Sequence, residues 1–102
     1  MQYIPVLDCV MNMKKHLFFS GHVQGVGFRF TLQRLALRNH LNGWTRNLRD
    51  GRVEAFVSGR AEDIDGFLDD LNRSFLGYIA DVEELPAGDM ASVNGFHILP
   101  SV

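Results

Sequence analysis

Gly21-His22-Val23-Gln24-Gly25-Val26-Gly27-Phe28-Arg29 stands between two stretches of different hydrophobic period, and its reading decides the fold. Before it, His16–Ser20 alternates like a strand, with Leu17 and Phe19 on one side and His16 and Phe18 on the other. After it, Phe28, Leu32, Leu35 and Ala36 recur at helical spacing as far as about Asn39. The chain therefore runs strand, glycine-rich turn, helix. Glycines at 21, 25 and 27 let the backbone curl so that successive N–H groups point into one concavity. At the start of a helix such a nest suits an anion. The Arg29 guanidinium, always charged, can grip two oxygens of that anion. Residues His22, Val23, Gln24, Gly25, Val26, Gly27, Phe28 and Arg29 thus read as a binding loop for a phosphate-sized group.

The remaining elements follow by the same rules. Asn39-His40-Leu41-Asn42-Gly43 closes the helix, with Asn and Gly as left-handed cap residues. Trp44–Leu48 and Arg52–Ser58 are strands joined by Arg49-Asp50-Gly51, whose Asp-Gly pair tolerates a hairpin's positive φ angles. In the second of them Val53, Ala55 and Val57 face a core, and Glu54, Phe56 and Ser58 face a more open side. Residues 62–75 carry Ile64, Phe67, Leu68, Leu71 and Phe75 on one helical stripe with acids opposite. Ile79–Leu85 is a strand weakened by Asp81, Glu83 and Glu84, which read as a solvated face. Phe96–Leu99 is a short last strand. The order β-α-β-β-α-β plus a small extra strand predicts an α+β, ferredoxin-like sandwich: a mostly antiparallel four-stranded sheet with two helices on one face. This fold alone specifies no function.

Composition narrows the classes. At 102 residues the chain forms one domain with a core that needs no metal or disulfide. Ten Lys and Arg against 12 Asp and Glu give a net charge of −2, which disfavours nucleic acid or an anionic membrane as partner. Cys9 is alone, so a reducing cytoplasm is the expected compartment. Residues 1–12 read as an N-terminal extension and 13–102 as the domain. The apolar run Tyr3–Val10 has no basic leader, is broken by Pro5 and Asp8, and is too short to span a bilayer. No Gly-Lys-Ser/Thr follows the glycines, so the loop is not a P-loop. The four histidines are dispersed, without zinc-ligand spacing. No metal and no cofactor are expected.

The loop motif, with Gly43-Trp44-Thr45-Arg46-Asn47-Leu48 and Asp50-Gly51-Arg52-Val53-Glu54 downstream, resembles the acylphosphatase family over about Lys14 to Leu99. The resemblance implies a stand-alone, monomeric hydrolase of small acyl phosphates. It also implies two catalytic residues by motif position: Arg29, with the loop, on the phosphate, and Asn47 on the attacking water. Each feature has a plainer reading. Arg29 alone is a surface charge, Asn47 alone satisfies turn backbone, and Gln24 either touches the ligand or braces the loop. Two positions depart from the family pattern. His22 stands where arginine is common, and Ser74-Phe75-Leu76-Gly77-Tyr78 replaces a glycine-proline turn. Two readings compete: an RNA-binding module of the same fold, with Phe18 and Phe56 as a stacking surface, and a carbamoyl-phosphate-handling or regulatory acylphosphatase-like domain.

Overall fold

The computed structural model describes residues 12–102. The extension read over 1–12 lies outside them except for Asn12, which pairs with Arg60. Strand β1 (Asn12–Gly21) is followed by α1 (Phe28–Arg38), β2 (Asn42–Asn47), β3 (Val53–Arg60), α2 (Ala61–Ser74), β4 (Ile79–Pro86) and β5 (Phe96–Ile98). Each expected element is present, with ends shifted by a few residues. The largest change is in β1, which is twice the expected length because it pairs with β3 on one side and β4 on the other.

The strands form one sheet in the order β4-β1-β3-β2-β5. All neighbours are antiparallel except β2 and β5, which run parallel. Side-chain alternation sends Leu17, Phe19, Val53, Ala55 and Val57 to the face that carries the helices. There they meet Phe28, Leu32, Leu35 and Ala36 of α1 and Ile64, Phe67 and Leu71 of α2. Phe28 sits where α1 enters this core, against Phe19 at 5.3 Å and Phe75 at 4.8 Å between ring centroids. Burial of this first helical residue holds the turn before it against the sheet.

Two expectations are corrected. The left-handed residue that caps α1 is His40, at φ 62°, not Asn39; Gly43 has a positive φ of 148° but lies within β2. Leu41 N–H donates to Ala36 and His40 N–H to Leu37, a Schellman arrangement with His40 in the position usually given to glycine. The second correction concerns β3, whose far side is not open: Phe56 is 0% and Glu54 7% exposed. Trp44 packs on Phe56 at 6.2 Å. Glu54 receives hydrogen bonds from Arg46 Nε at 2.7 Å and from His16 Nε2 at 2.6 Å. Three strands each supply one member of that cluster, a pairing that alternation within one strand cannot reveal.

Candidate active site

The backbone of the glycine loop follows from its residue types. Gly25 and Gly27 have φ of 79° and 76°, and a Cβ on either would meet nothing within 4 Å. The left-handed backbone, not lack of space, is what demands glycine at these two positions. Gly27 is also the residue before α1; it makes no side-chain cap, and the first helical turn contains no acid. Among the described residues, none of the N–H groups from Val23 to Arg29 donates to a backbone carbonyl. The unpaired amides and the positive end of α1 converge here.

Long-range contacts then fix the loop in place. Gln24 Nε2 donates to the carbonyls of Leu48 at 2.8 Å and Arg52 at 2.9 Å, on the two sides of the β2–β3 hairpin. Gln24 therefore braces the loop rather than pointing its amide at a ligand. On the other side, His22 N–H donates to Tyr78 O at 2.8 Å, and the two rings meet edge to face at 5.7 Å. The Ser74–Tyr78 turn thus supports the loop's entrance. The His22 amide is spent on that contact, and its side chain is exposed. Val26 packs against the core.

The Gln24 bridge brings the end of β2 to the loop. A pocket of about 250 Å³ is lined there by Val23, Gly25, Gly27, Phe28, Arg29 and Asn47, with Phe30 and Ile98 completing it. Arg29 is half-buried, and among the described residues no carboxylate or carbonyl holds its guanidinium. Asn47 is held on both sides: β2 pairs it with Val53 of β3, and its carbonyl accepts from Val102 N–H at 3.1 Å. Its side-chain Oδ1 is buried without a hydrogen-bond partner among the described residues. An unsatisfied buried carbonyl costs about 1–3 kcal/mol, so one on a residue that lines the pocket calls for a functional account. The pocket therefore joins a cation and backbone amide donors, unpaired among the described residues, with the Asn47 amide.

A family model described as acylphosphatase matches residues 15–98. The chain belongs to the acylphosphatase family. A curated acylphosphatase of Syntrophus aciditrophicus is 46% identical over 59 residues, 58% of this chain and 62% of that relative. That alignment spans less than two thirds of the relative. One from a Synechococcus strain is 34% identical over 91 residues, 89% of this chain and 97% of the relative. The crystal structure of the Bacillus subtilis acylphosphatase superposes with a TM-score of 0.78 at 28% identity, covering 85% of this chain and 98% of that one.

Of the residues singled out from the sequence, Val23, Gly25, Gly27, Phe28, Arg29 and Asn47 meet at the pocket, while His22, Gln24 and Val26 support it from outside. Phe30 and Ile98 were missed. Phe30 left a trace in the sequence, as an apolar residue off the core stripe of α1. Ile98 left none. Elsewhere, the buried Phe56 cannot serve as the stacking surface that the RNA-binding reading requires. Among the described residues no three His, Cys, Asp or Glu side chains gather as a metal site, and no helix is long and apolar enough to cross a membrane.

Proposed function

We propose that Arg29, the Val23–Arg29 amides and Asn47 are the working parts of an acyl-phosphate hydrolase. The reaction converts an acyl phosphate and water into a carboxylate and inorganic phosphate. One observation carries the assignment of roles: Arg29 and Asn47, on different elements, line the same pocket, and among the described residues neither the guanidinium nor Oδ1 has a partner.

The phosphoryl oxygens are held by the loop amides and the Arg29 fork. Such preorganised donors stabilise charge as the bonds to attacking and leaving oxygens change, and one donor is commonly worth roughly 3 kcal/mol. The Asn47 amide orients a water in line with the leaving carboxylate; rotation of its terminal torsion presents either oxygen or nitrogen to the pocket. The water oxygen bonds to phosphorus, the bond from phosphorus to the acyl oxygen breaks, and its electron pair leaves with the carboxylate. The water's proton passes to a phosphate oxygen, so no side chain has to act as a strong base. A carboxylate leaves readily, which is why the scheme asks for positioning and charge stabilisation rather than a metal or a covalent intermediate. The site is assembled within one chain, consistent with a monomer, and the lone Cys9 favours a reducing cytoplasm.

The test is hydrolysis of benzoyl phosphate by the wild type, Arg29→Ala and Asn47→Ala, with folding checked for each. Turnover lost in both folded variants supports the roles, and a folded but inert wild type defeats the reading. The proton route has its own check: an acyl phosphate methyl ester, a poorer proton acceptor, should react more slowly, and an undiminished rate would rule that route out.

A further inference from the structure

The pocket has a second wall that phosphate does not need. Phe30 lies two residues beyond Phe28, so it points roughly 200° around α1 from the core stripe. It is 64% exposed, yet it lines the pocket beside Arg29. Ile98 lies on the edge strand β5, paired with Thr45, two residues before Asn47 on β2. Two residues beyond the buried Phe96 on this strand, it shares that residue's helix-bearing face, and it is 37% exposed. The other apolar lining residues, Val23 and Phe28, are 1% exposed and locked in the core. The accessible lining thus divides into a polar part, made of Arg29, Asn47 and the loop, and an apolar part made of Phe30 and Ile98.

An acyl phosphate divides in the same way. Its phosphoryl group is satisfied by the polar part. The acyl substituent has to extend from the phosphate-binding loop along whatever lining remains. We infer that Phe30 and Ile98 form the acyl-group subsite, and that the substrates are acyl phosphates with aromatic or branched apolar acyl groups rather than acetyl phosphate. This rests on the hydrolase reading of the site. A pocket of about 250 Å³ suits a compact ligand, being smaller than the roughly 300–1,000 Å³ of pockets for drug-sized molecules. A ring can lie against Phe30 in offset or edge-to-face geometry, whereas a single methyl group covers little of it. The contact is remote from the bonds that change, so it is made equally in ground and transition states and acts on KM more than on kcat.

The experiment compares benzoyl phosphate with acetyl phosphate for the wild type, Phe30→Ala, Phe30→Tyr and Ile98→Ala. The inhibition constant of inorganic phosphate is measured for each protein. The wild type should prefer benzoyl phosphate, and Phe30→Ala should reduce that preference in kcat/KM by about 5–30-fold, mostly through KM. Ile98→Ala should do the same to a smaller extent, and Phe30→Tyr should retain the preference. Phosphate inhibition should stay within about 2-fold throughout, because the polar part is untouched. A wild type active on both substrates whose preference survives Phe30→Ala and Ile98→Ala overturns the subsite alone. Parallel losses on both substrates and on phosphate binding would mean that these side chains merely support the loop, which also overturns it. A folded wild type inactive on both substrates overturns the hydrolase reading and the subsite with it.

Discussion

The two helices begin in opposite ways. The first turn of α2 contains Glu62 and Asp63, and Arg60 just before it pairs with Glu62 at 3.0 Å. The chain thus supplies its own negative charge at that positive helix end. The first turn of α1 contains no acid, has no side-chain cap and carries Arg29. A cation there adds to the helix's positive end instead of balancing it. Both helices bury an apolar stripe on the same sheet, so packing does not explain the contrast. Where α2 is completed by its own residues, the start of α1 is left open, as the proposed phosphate site requires.

The far side of the sheet sharpens this lesson. Burial alone would raise the Glu54 carboxyl's pKa, but hydrogen bonds from Arg46 and His16 outweigh it and hold the group below the usual carboxylate value. Polar groups can be buried throughout this fold when they are mutually paired. Asn47 Oδ1, by contrast, is buried and unpaired among the described residues.

The largest break in the comparison is Arg29→Ala. We expect kcat/KM for benzoyl phosphate to fall by about 10³-fold, with the melting temperature little changed, because among the described residues no partner of Arg29 is lost. Steady-state kinetics beside a thermal melt reads both. Asn47→Ala should lower kcat by about 10²-fold while leaving stability equal or raised, since it deletes an unsatisfied buried group. A clear loss of stability in that variant would show that the amide serves the fold instead.

On the paired side of the sheet the pattern reverses. Arg46→Met should destabilise by roughly 1–3 kcal/mol in urea melts at neutral pH, because it strips a donor from buried Glu54. The Glu54 carboxyl titrates lower folded than its reference value of 4.5. Its contribution is therefore fully present above that pH and is lost as the pH falls through the folded value. Urea midpoints measured from pH 7 to pH 3 should show this acid limb in the wild type and a flatter one in Glu54→Gln.

Gly27→Ala has room for its methyl group but an unfavourable φ, so we expect about 1–2 kcal/mol of destabilisation together with weaker phosphate inhibition. The smallest effect belongs to α2. Glu62→Gln should cost about 0.3–1 kcal/mol and leave kcat/KM unchanged. A comparable loss of activity there would erase the distinction between the two helix ends.

What the sequence determined by itself was local. Period two against period 3.6 placed the strands and helices, and the glycines marked a loop whose backbone few other residues can adopt. Arg29 in the first turn of α1, read together with the glycine loop, suggested an anion site before any contact was visible. These features are legible because a residue type acts directly on its own backbone and its immediate neighbours. Tertiary structure decided which candidates meet. Gln24 turned out to be a brace because the β2–β3 hairpin lies against the loop, and the His22 amide is spent on Tyr78. Asn47 reaches the pocket, and Ile98 joins it, through the pairing of β2 with β3 and β5. Glu54 is buried by partners on two other strands. Each of these outcomes depends on strand register and on helices closing over the sheet. Those are non-local balances of packing and hydrogen bonding, which no single stretch of the chain encodes.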